Sequence, residues 1–454
     1  MKISISGLRG IYGQDLDLHQ AVRFAGAFSS LLRSKDLTSC ALARDTRPSG
    51  RIISQAVAAG LMANGIDVYN FGIAPTPLVF RESRKVGAGL VVTSSHNPLE
   101  WNGLKFIING RGLFEDELRD MMEIYSHNES HAAPASNPGS EFEGHPTYLE
   151  EVADLVGRKS QDSRVKIGLD PGGGAACGYA GRLFKRLGFA FSSINDVPGV
   201  SSRGPDPTAD ELGDLQGLVR SGGLDYGFAL DLDGDRLVVV LSKDAGNPNP
   251  QARVEKLGAD ATLLVCLARV IQMGMTKFVT SIDTSVAIEK YAKEHGARVD
   301  YSKVGEANVV NKMLQVGADA GGEGSSAGFI MPGFNMCRDG FLASAIIATL
   351  DRKIVSECVE FASQFAQIRT KIPAESALHS RIMSRLPELL ARESSDILEI
   401  DGIKAIIDEN SWVLVRPSNT EHAIRISVES TRQKARPLYD RVSKEILGIC
   451  ENLR

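Results

Sequence analysis

Apolar and polar positions along the chain follow two rhythms. Short apolar and β-branched runs at 40–44, 89–93, 165–170, 226–230 and 277–281 have the length of strands. Between them lie amphipathic stretches with helical periodicity, such as 18–32, 54–63 and 286–295. This alternation predicts α/β construction with parallel sheets. Towards the end the rhythm changes: 412–415 and 423–428 alternate like a hairpin, and a helix is expected over about 435–453. Residues 127–145 lack apolar periodicity and read as a linker, 244–251 with its Asn-Pro-Asn-Pro run as another, and a further boundary is expected near 364–373. The division that follows is four domains, 1–150, 151–252, 253–368 and 369–454, the last unlike the others.

Composition narrows the class without changing this picture. The 454 residues are 43% apolar and 24% charged, the balance of a globular protein able to bury several cores. A net charge of −5 argues against nucleic acid or an anionic membrane as the main partner, though not against a local basic pocket. The cysteines Cys40, Cys177, Cys266, Cys337, Cys358 and Cys450 form no C-x-x-C pair and no cluster with histidine, so neither a zinc site nor a disulfide framework is indicated. No basic segment followed by a long apolar run opens the chain, and a cytoplasmic protein is the expectation.

Four loops carry candidate chemistry. Val91-Val92-Thr93-Ser94-Ser95-His96-Asn97-Pro98 brings a strand to a turn with a serine at its tip, His96 beside it and Lys105 close behind. Such a serine is a candidate nucleophile or phosphoryl carrier, although Ser, Asn and Pro also make ordinary turns. Asp231-Leu232-Asp233-Gly234-Asp235-Arg236 follows an apolar strand with three carboxylates in five residues. That crowding of negative charge calls for a hard divalent cation such as Mg²⁺, and Arg236 adds a planar donor for a phosphate oxygen. Gly321-Gly322-Glu323-Gly324-Ser325-Ser326 lets the backbone approach a ligand, with Glu323 and Ser325 able to bond sugar hydroxyls; Arg338-Asp339-Gly340 lies a little later. Arg416-Pro417-Ser418-Asn419-Thr420-Glu421, with Arg425 following, offers a cation, hydroxyls and backbone amides suited to a phosphate.

In their order and long spacing the four loops resemble those of the α-D-phosphohexomutases, the family of phosphoglucomutase, phosphomannomutase and phosphoglucosamine mutase. The resemblance runs from Gly7-Leu8-Arg9-Gly10 through the Arg416 loop. It implies three similar mixed-sheet α/β domains plus a smaller C-terminal α+β domain around a central cleft. It also implies a phosphorylated Ser95 that binds one Mg²⁺ together with Asp231, Asp233 and Asp235. The activity implied is exchange of hexose 6-phosphate and hexose 1-phosphate through a hexose 1,6-bisphosphate. Arg9, His96 and Lys303 are the acid/base candidates by family position. Lys105 and Arg236 would neutralise the moving phosphoryl group. Glu323 and Ser325 would hold the sugar, and Arg416, Ser418, Asn419, Thr420 and Arg425 the other phosphate. Arg47 matches a family position near the serine. The partners implied are small sugar phosphates, with a monomer or homodimer as the assembly.

Departures from the family pattern are Asn419 where glycine is usual, His422 where proline is usual, and Ser326-Ala327 in place of Gly-His. The Gly-Gly-Glu-Gly start and Val304-Gly305-Glu306-Ala307-Asn308-Val309 are most similar to archaeal-type phosphoglucosamine mutases. Glucosamine phosphate is therefore the first expectation for the substrate, and mannose or glucose phosphate the second. Two rivals remain at this point. Ala229-Leu230-Asp231-Leu232-Asp233-Gly234 also resembles the aspartyl nucleophile loop of haloacid-dehalogenase-type phosphatases, and a non-catalytic sugar-phosphate-binding relative would keep the fold without turnover.

Overall fold

Buried apolar runs become central strands here because both faces of a parallel sheet are covered by helices. The computed structural model describes residues 1–127, 137–157, 165–244, 246, 248–249, 251–326, 328–391, 394–417 and 422–452. They form two units, Met1–Thr262 with Ser326–Leu350, and Leu263–Ser325 with Asp351–Arg454.

In the first unit an eight-stranded sheet runs in the order Lys2–Ser4, Gly7–Ile11, Trp101–Ile108, Ala88–Val92, Ser39–Arg44, Asp67–Ile73 and Glu141–Glu143, with Arg111–Gly112 beside Trp101–Ile108. Ser39–Arg44 is parallel to Ala88–Val92, which brings the loops after Arg44 and Val92 to one edge. Trp101–Ile108 then returns antiparallel along Ala88–Val92. The helix Leu18–Arg33 covers this sheet. Its start is fixed by a capping box between Asp17 and Gln20, and Phe24, Phe28, Leu31 and Leu32 are buried along it. Each such buried side chain contributes roughly 1.5–3 kcal/mol.

A second sheet of the same unit orders Ala190–Ser193, Lys166–Asp170, Tyr226–Leu230, Leu237–Ser242 and Val254–Lys256. Lys166–Asp170 and Tyr226–Leu230 are parallel, so Asp170 and Leu230 end side by side. Arg203 ties those ends together, donating Nε to Asp170 Oδ2 at 2.7 Å and Nη2 to Leu230 O at 2.7 Å. The helix Gly340–Thr349 starts against the loop after Leu230. A Cβ on Gly340 would stand 2.6 Å from Leu230 Cδ2 and 2.8 Å from Arg236 O, so no larger residue fits.

In the second unit Arg298–Ser302, Lys277–Ser281 and Ala320–Glu323 are parallel neighbours, which gathers the loops after Ser281, Ser302 and Glu323 at one edge. The C-terminal sheet is antiparallel throughout, in the order Phe365–Pro373, Ala423–Thr431, Ser411–Pro417, Ile403–Asp408 and Asp396–Leu398. One face packs on the helices His379–Ala391 and Ala435–Asn452 through Ile382, Leu386, Val413, Val415, Ile424 and Ile426. The other presents Trp412 and Leu414 to Ile282. Polar ties secure that second contact. Glu429 accepts from Ser285 Oγ, from Val286 N at 2.7 Å and from Trp412 Nε1 at 2.5 Å, and Lys404 Nζ donates to Ile282 O at 2.8 Å. A carboxylate at the start of the helix Val286–Glu294 also meets the positive end of its dipole.

The expected strands and helices are present with ends shifted by a few residues. One connecting segment differs from expectation. Glu141–Glu143, inside the expected linker, pairs with Asp67–Ile73 as an edge strand. At the expected boundary, 364–373, the nine-residue strand Phe365–Pro373 opens the C-terminal sheet. Among the described residues no helix is long and apolar enough to cross a membrane.

Candidate active site

The buried strand Ala88–Val92 delivers Ser95 to a turn in which its φ is +51°, a left-handed conformation costing a non-glycine residue ~1–3 kcal/mol. Two contacts hold that backbone: Ser95 N donates to Thr93 Oγ1 at 2.8 Å, and Ser95 O accepts from Arg47 Nη2 at 2.6 Å. Arg47, 1% exposed, engages all five of its donors. Nε reaches Asp45 Oδ2 at 3.0 Å, Nη1 reaches Pro98 O and Trp101 O, and Nη2 reaches Ser95 O and Asn97 O. Burial raises the Asp45 carboxyl to about 6 against the pull of Arg47 and Thr93. Arg47 has no donor left for a substrate. These contacts tie it to the backbone of the serine loop.

The serine hydroxyl faces the acidic loop. Ser95 Oγ donates to Asp231 Oδ2 at 3.1 Å and lies 3.3 Å from His96 Nδ1. Gly234, at φ +74°, makes the turn that brings Asp231, Asp233 and Asp235 together, with a ligand oxygen of each within 4.8 Å of the others. All three are fully buried. Asp231 Oδ1 accepts from the backbone N–H of Asp235 at 3.0 Å and of Arg236 at 3.1 Å. Lys105 Nζ bridges Asp233 Oδ2 at 2.7 Å and Asp235 Oδ2 at 3.0 Å, Thr76 Oγ1 donates to Asp233 Oδ2 at 2.6 Å, and Arg338 Nη2 donates to Asp235 Oδ2 at 2.9 Å. Burial, then Asp235 and Asp233, push Asp231 well above the usual carboxylate range. Burial acts the same way on Asp235, yet Arg338, Lys105 and Arg236 hold it well below that range.

Asp233 Oδ1 and Asp235 Oδ1 are buried without a hydrogen-bond partner. Buried carboxylate oxygens left open beside a third aspartate and a serine hydroxyl are the donor set a hard cation takes, so these residues fit a divalent metal. Arg236 closes the other side, with Nη1 3.4 Å from Asp206 Oδ2 and Nη2 3.4 Å from His96 Nε2. Burial, then Arg236, brings His96 down to about 4, a neutral imidazole at physiological pH. Arg9 stands opposite Gly103 and reaches Asn97 Oδ1 at 3.5 Å.

In the second unit Glu323, 3% exposed, accepts from Gly305 N at 2.7 Å through Oε1. Lys303 is exposed at the start of the same turn, and Ser325 is half-buried. Arg416 Nη1 donates to Asp401 Oδ2 at 3.1 Å, and Arg416 faces Arg425 directly across the strand pair. Ser418, Asn419 and Thr420 lie outside the described residues.

Comparison with known proteins decides the family. Four phosphoglucomutase/phosphomannomutase family domains match in order: alpha/beta/alpha domain I over 1–132, domain II over 146–246, domain III over 259–365 and the C-terminal domain over 379–442. The chain belongs to the phosphoglucomutase/phosphomannomutase family. It is 32% identical to a Methanothermobacter thermautotrophicus protein named "Probable phosphoglucosamine mutase", covering 99% of this chain and 97% of that one. It is 31% identical to a Thermococcus kodakarensis protein named phosphoglucomutase/phosphomannomutase, covering 95% of each. Among solved structures, a phosphoglucomutase/phosphomannomutase family protein from Burkholderia thailandensis shares the fold with a TM-score of 0.81 at 23% identity, covering 99% of this chain and 98% of that one.

Thr76, Asp206 and Asp401 went unnoticed in the sequence of this family member, and Arg338 was grouped with the glycine-rich loop. Thr76 sits in a plain Pro-Thr-Pro helix start, and the lone acids Asp206 and Asp401 carry no motif. Arg338 stood in view as Arg-Asp-Gly, but its partner Asp235 is 103 residues away.

Proposed function

We propose that this chain, a hexose phosphate mutase by its family, interconverts hexose 6-phosphate and hexose 1-phosphate through phosphorylated Ser95 and a hexose 1,6-bisphosphate. Glucosamine phosphate is the proposed substrate, supported by the names of relatives up to 32% identical, with mannose or glucose phosphate second. The observation that carries the reading is the 3.1 Å contact of Ser95 Oγ with an aspartate whose two neighbours keep buried, open oxygens.

Phosphoryl transfer asks for alignment and for charge neutralisation more than for covalent chemistry by the protein. The serine is pre-aligned, because Arg47 and Thr93 fix its backbone. Asp231, Asp233 and Asp235 would hold one Mg²⁺ together with the serine phosphate, and the ion would offset charge on the transferring group. Arg236, Lys105 and Arg338 supply positive charge around it, while Lys105 engages Oδ2 of Asp233 and Asp235 and leaves their Oδ1 atoms open. His96 acts as a donor. Guanidinium nitrogens only donate, so beside Arg236 the Nε2 of a neutral His96 would accept, and Nδ1, facing Ser95 Oγ, would carry the proton. That donor stabilises charge developing on the serine oxygen as the phosphoryl group leaves. The proton of the attacking sugar hydroxyl must go elsewhere, with Arg9 and Lys303 as the remaining candidates. Arg416 and Arg425 would grip the phosphate that does not react.

The aspartyl-phosphatase alternative fares poorly, since Asp231 has one oxygen bonded to two backbone N–H groups and the other to Ser95. Intact mass and peptide mapping of active enzyme should place one phosphate on Ser95. Ser95→Ala should lose it along with turnover, by about three orders of magnitude or more. Phosphate on Asp231, or a Ser95→Ala protein of normal activity, would refute the proposal. A panel of glucosamine, mannose, glucose and N-acetylglucosamine phosphates ranks the hexoses.

A further inference from the structure

The turn Ile400-Asp401-Gly402 joins Asp396–Leu398 to Ile403–Asp408 and closes directly on the Arg416 strand. Gly402 makes this possible. Its φ is +83°, and a Cβ there would stand 2.3 Å from Val415 O and 2.6 Å from Arg416 Cβ. The close approach sets the Asp401 carboxylate beside the Arg416 guanidinium. A single oxygen, Asp401 Oδ2, accepts from Arg416 Nη1 at 3.1 Å and from Val304 N at 3.2 Å. Val304 belongs to the turn that carries Lys303, and its neighbour Gly305 donates to Glu323 Oε1 at 2.7 Å. One unbroken chain of contacts therefore runs from Arg416 through Asp401 and the 303–305 turn to Glu323.

The contact is poorly suited to holding the fold together. The two side chains are 20% and 26% exposed, and ion pairs that open to water add little stability. It is well suited to aiming. One donor of Arg416 is engaged, whereas Arg47 engages five, and the rest of the Arg416 fork has no partner among the described residues. A guanidinium oriented by one nitrogen can present its other donors, in fixed geometry, to an anion.

We propose that Asp401 is a positioning residue for the substrate's non-reacting phosphate: it aims Arg416 and ties that arginine to the turn bearing Lys303 and to Glu323. This rests on the reading of Arg416 as a phosphate grip. The test compares the unmodified enzyme with Asp401→Asn, Arg416→Ala and the double variant, using the hexose 1-phosphate turned over fastest. Asparagine keeps an acceptor for Val304 N–H but loses the charge that orients Arg416. Asp401→Asn should raise KM about tenfold, leave kcat within about threefold and leave the melting temperature unmoved, since misaiming a binding group costs binding first. Arg416→Ala should raise KM further, and Asp401→Asn should then add nothing in that background, because it acts through a group already gone. An unchanged KM in Asp401→Asn, with a raised one in Arg416→Ala, overturns the positioning role and leaves the phosphate grip standing. An additional rise in the double variant overturns it as well. An unchanged KM in Arg416→Ala removes the grip itself, and with it the basis for Asp401.

Discussion

Arg47 and Arg416 are the same side chain in opposite settings. Arg47 is sealed in the first unit with five donors on five acceptors, four of them backbone carbonyls of the serine loop. Arg416 in the second unit is a fifth exposed and, among the described residues, donates to one carboxylate. A saturated guanidinium fixes backbone and cannot recognise anything; an unsaturated one costs little to leave in water and has donors to give. On the proposed reading of Arg416, counting donors separates scaffold from recognition where charge alone does not. The serine centre as a whole follows the saturated pattern, with a few open atoms: Asp233 Oδ1, Asp235 Oδ1 and Ser94 Oγ among them.

The largest effect should come from those open carboxylate oxygens. If they await a cation, exhaustive chelation should reduce turnover by about three orders of magnitude or more, and added Mg²⁺ should restore it. Calorimetry should show Mg²⁺ binding that weakens in Asp233→Asn. Full activity after chelation would mean that the open oxygens serve something else.

Arg47→Lys comes next. Lysine brings three donors on a single ammonium in place of five in a planar fork, so at least two of the five acceptors lose their partner. At about 1–3 kcal/mol for each, the serine loop should loosen. The expected outcome is a lower melting temperature and a kcat reduced by about tenfold or more, with KM little changed. A variant with normal melting and a raised KM would reverse the comparison and return Arg47 to substrate binding.

How much of this was legible in the sequence depended on distance along the chain. The acidic loop was readable because three carboxylates and a glycine fall within five residues. Central strands such as Tyr226–Leu230 were readable because every residue is buried. The edge strand Glu141–Glu143 was not, since three exposed residues with a single apolar one, Phe142, are too short to show a periodicity. Thr76 meets Asp233 across 157 residues and from beside a different sheet, so only the tertiary fold brings them together. Arg47 was legible as a cation near the serine, but its burial and its five engaged donors were not, because they belong to tertiary structure. Asp401 was missed for a related reason: a lone aspartate before a glycine looks like any turn until the strand it closes on is known.

The smallest expected effect sharpens the comparison most. Ser94 neighbours the proposed carrier, is fully buried, and its Oγ lacks a hydrogen-bond partner, so the two serines differ in what their hydroxyls meet and not in burial. A buried hydroxyl with no partner has given up its hydration for no return, and removing it should be neutral or slightly stabilising, within about 1 kcal/mol. Ser94→Ala should therefore keep the phosphate on Ser95, keep turnover within about threefold and melt at the same temperature or slightly higher. If Ser94 instead carried the phosphoryl group, its substitution would abolish the modification and the activity together, while Ser95→Ala would retain both. Ser95 has the contacts a carrier needs, with Asp231 Oδ2 at 3.1 Å and His96 Nδ1 at 3.3 Å, and Ser94 Oγ has neither. Peptide mapping of the two variants reads that difference directly, because the phosphate can survive in one of them and not in the other.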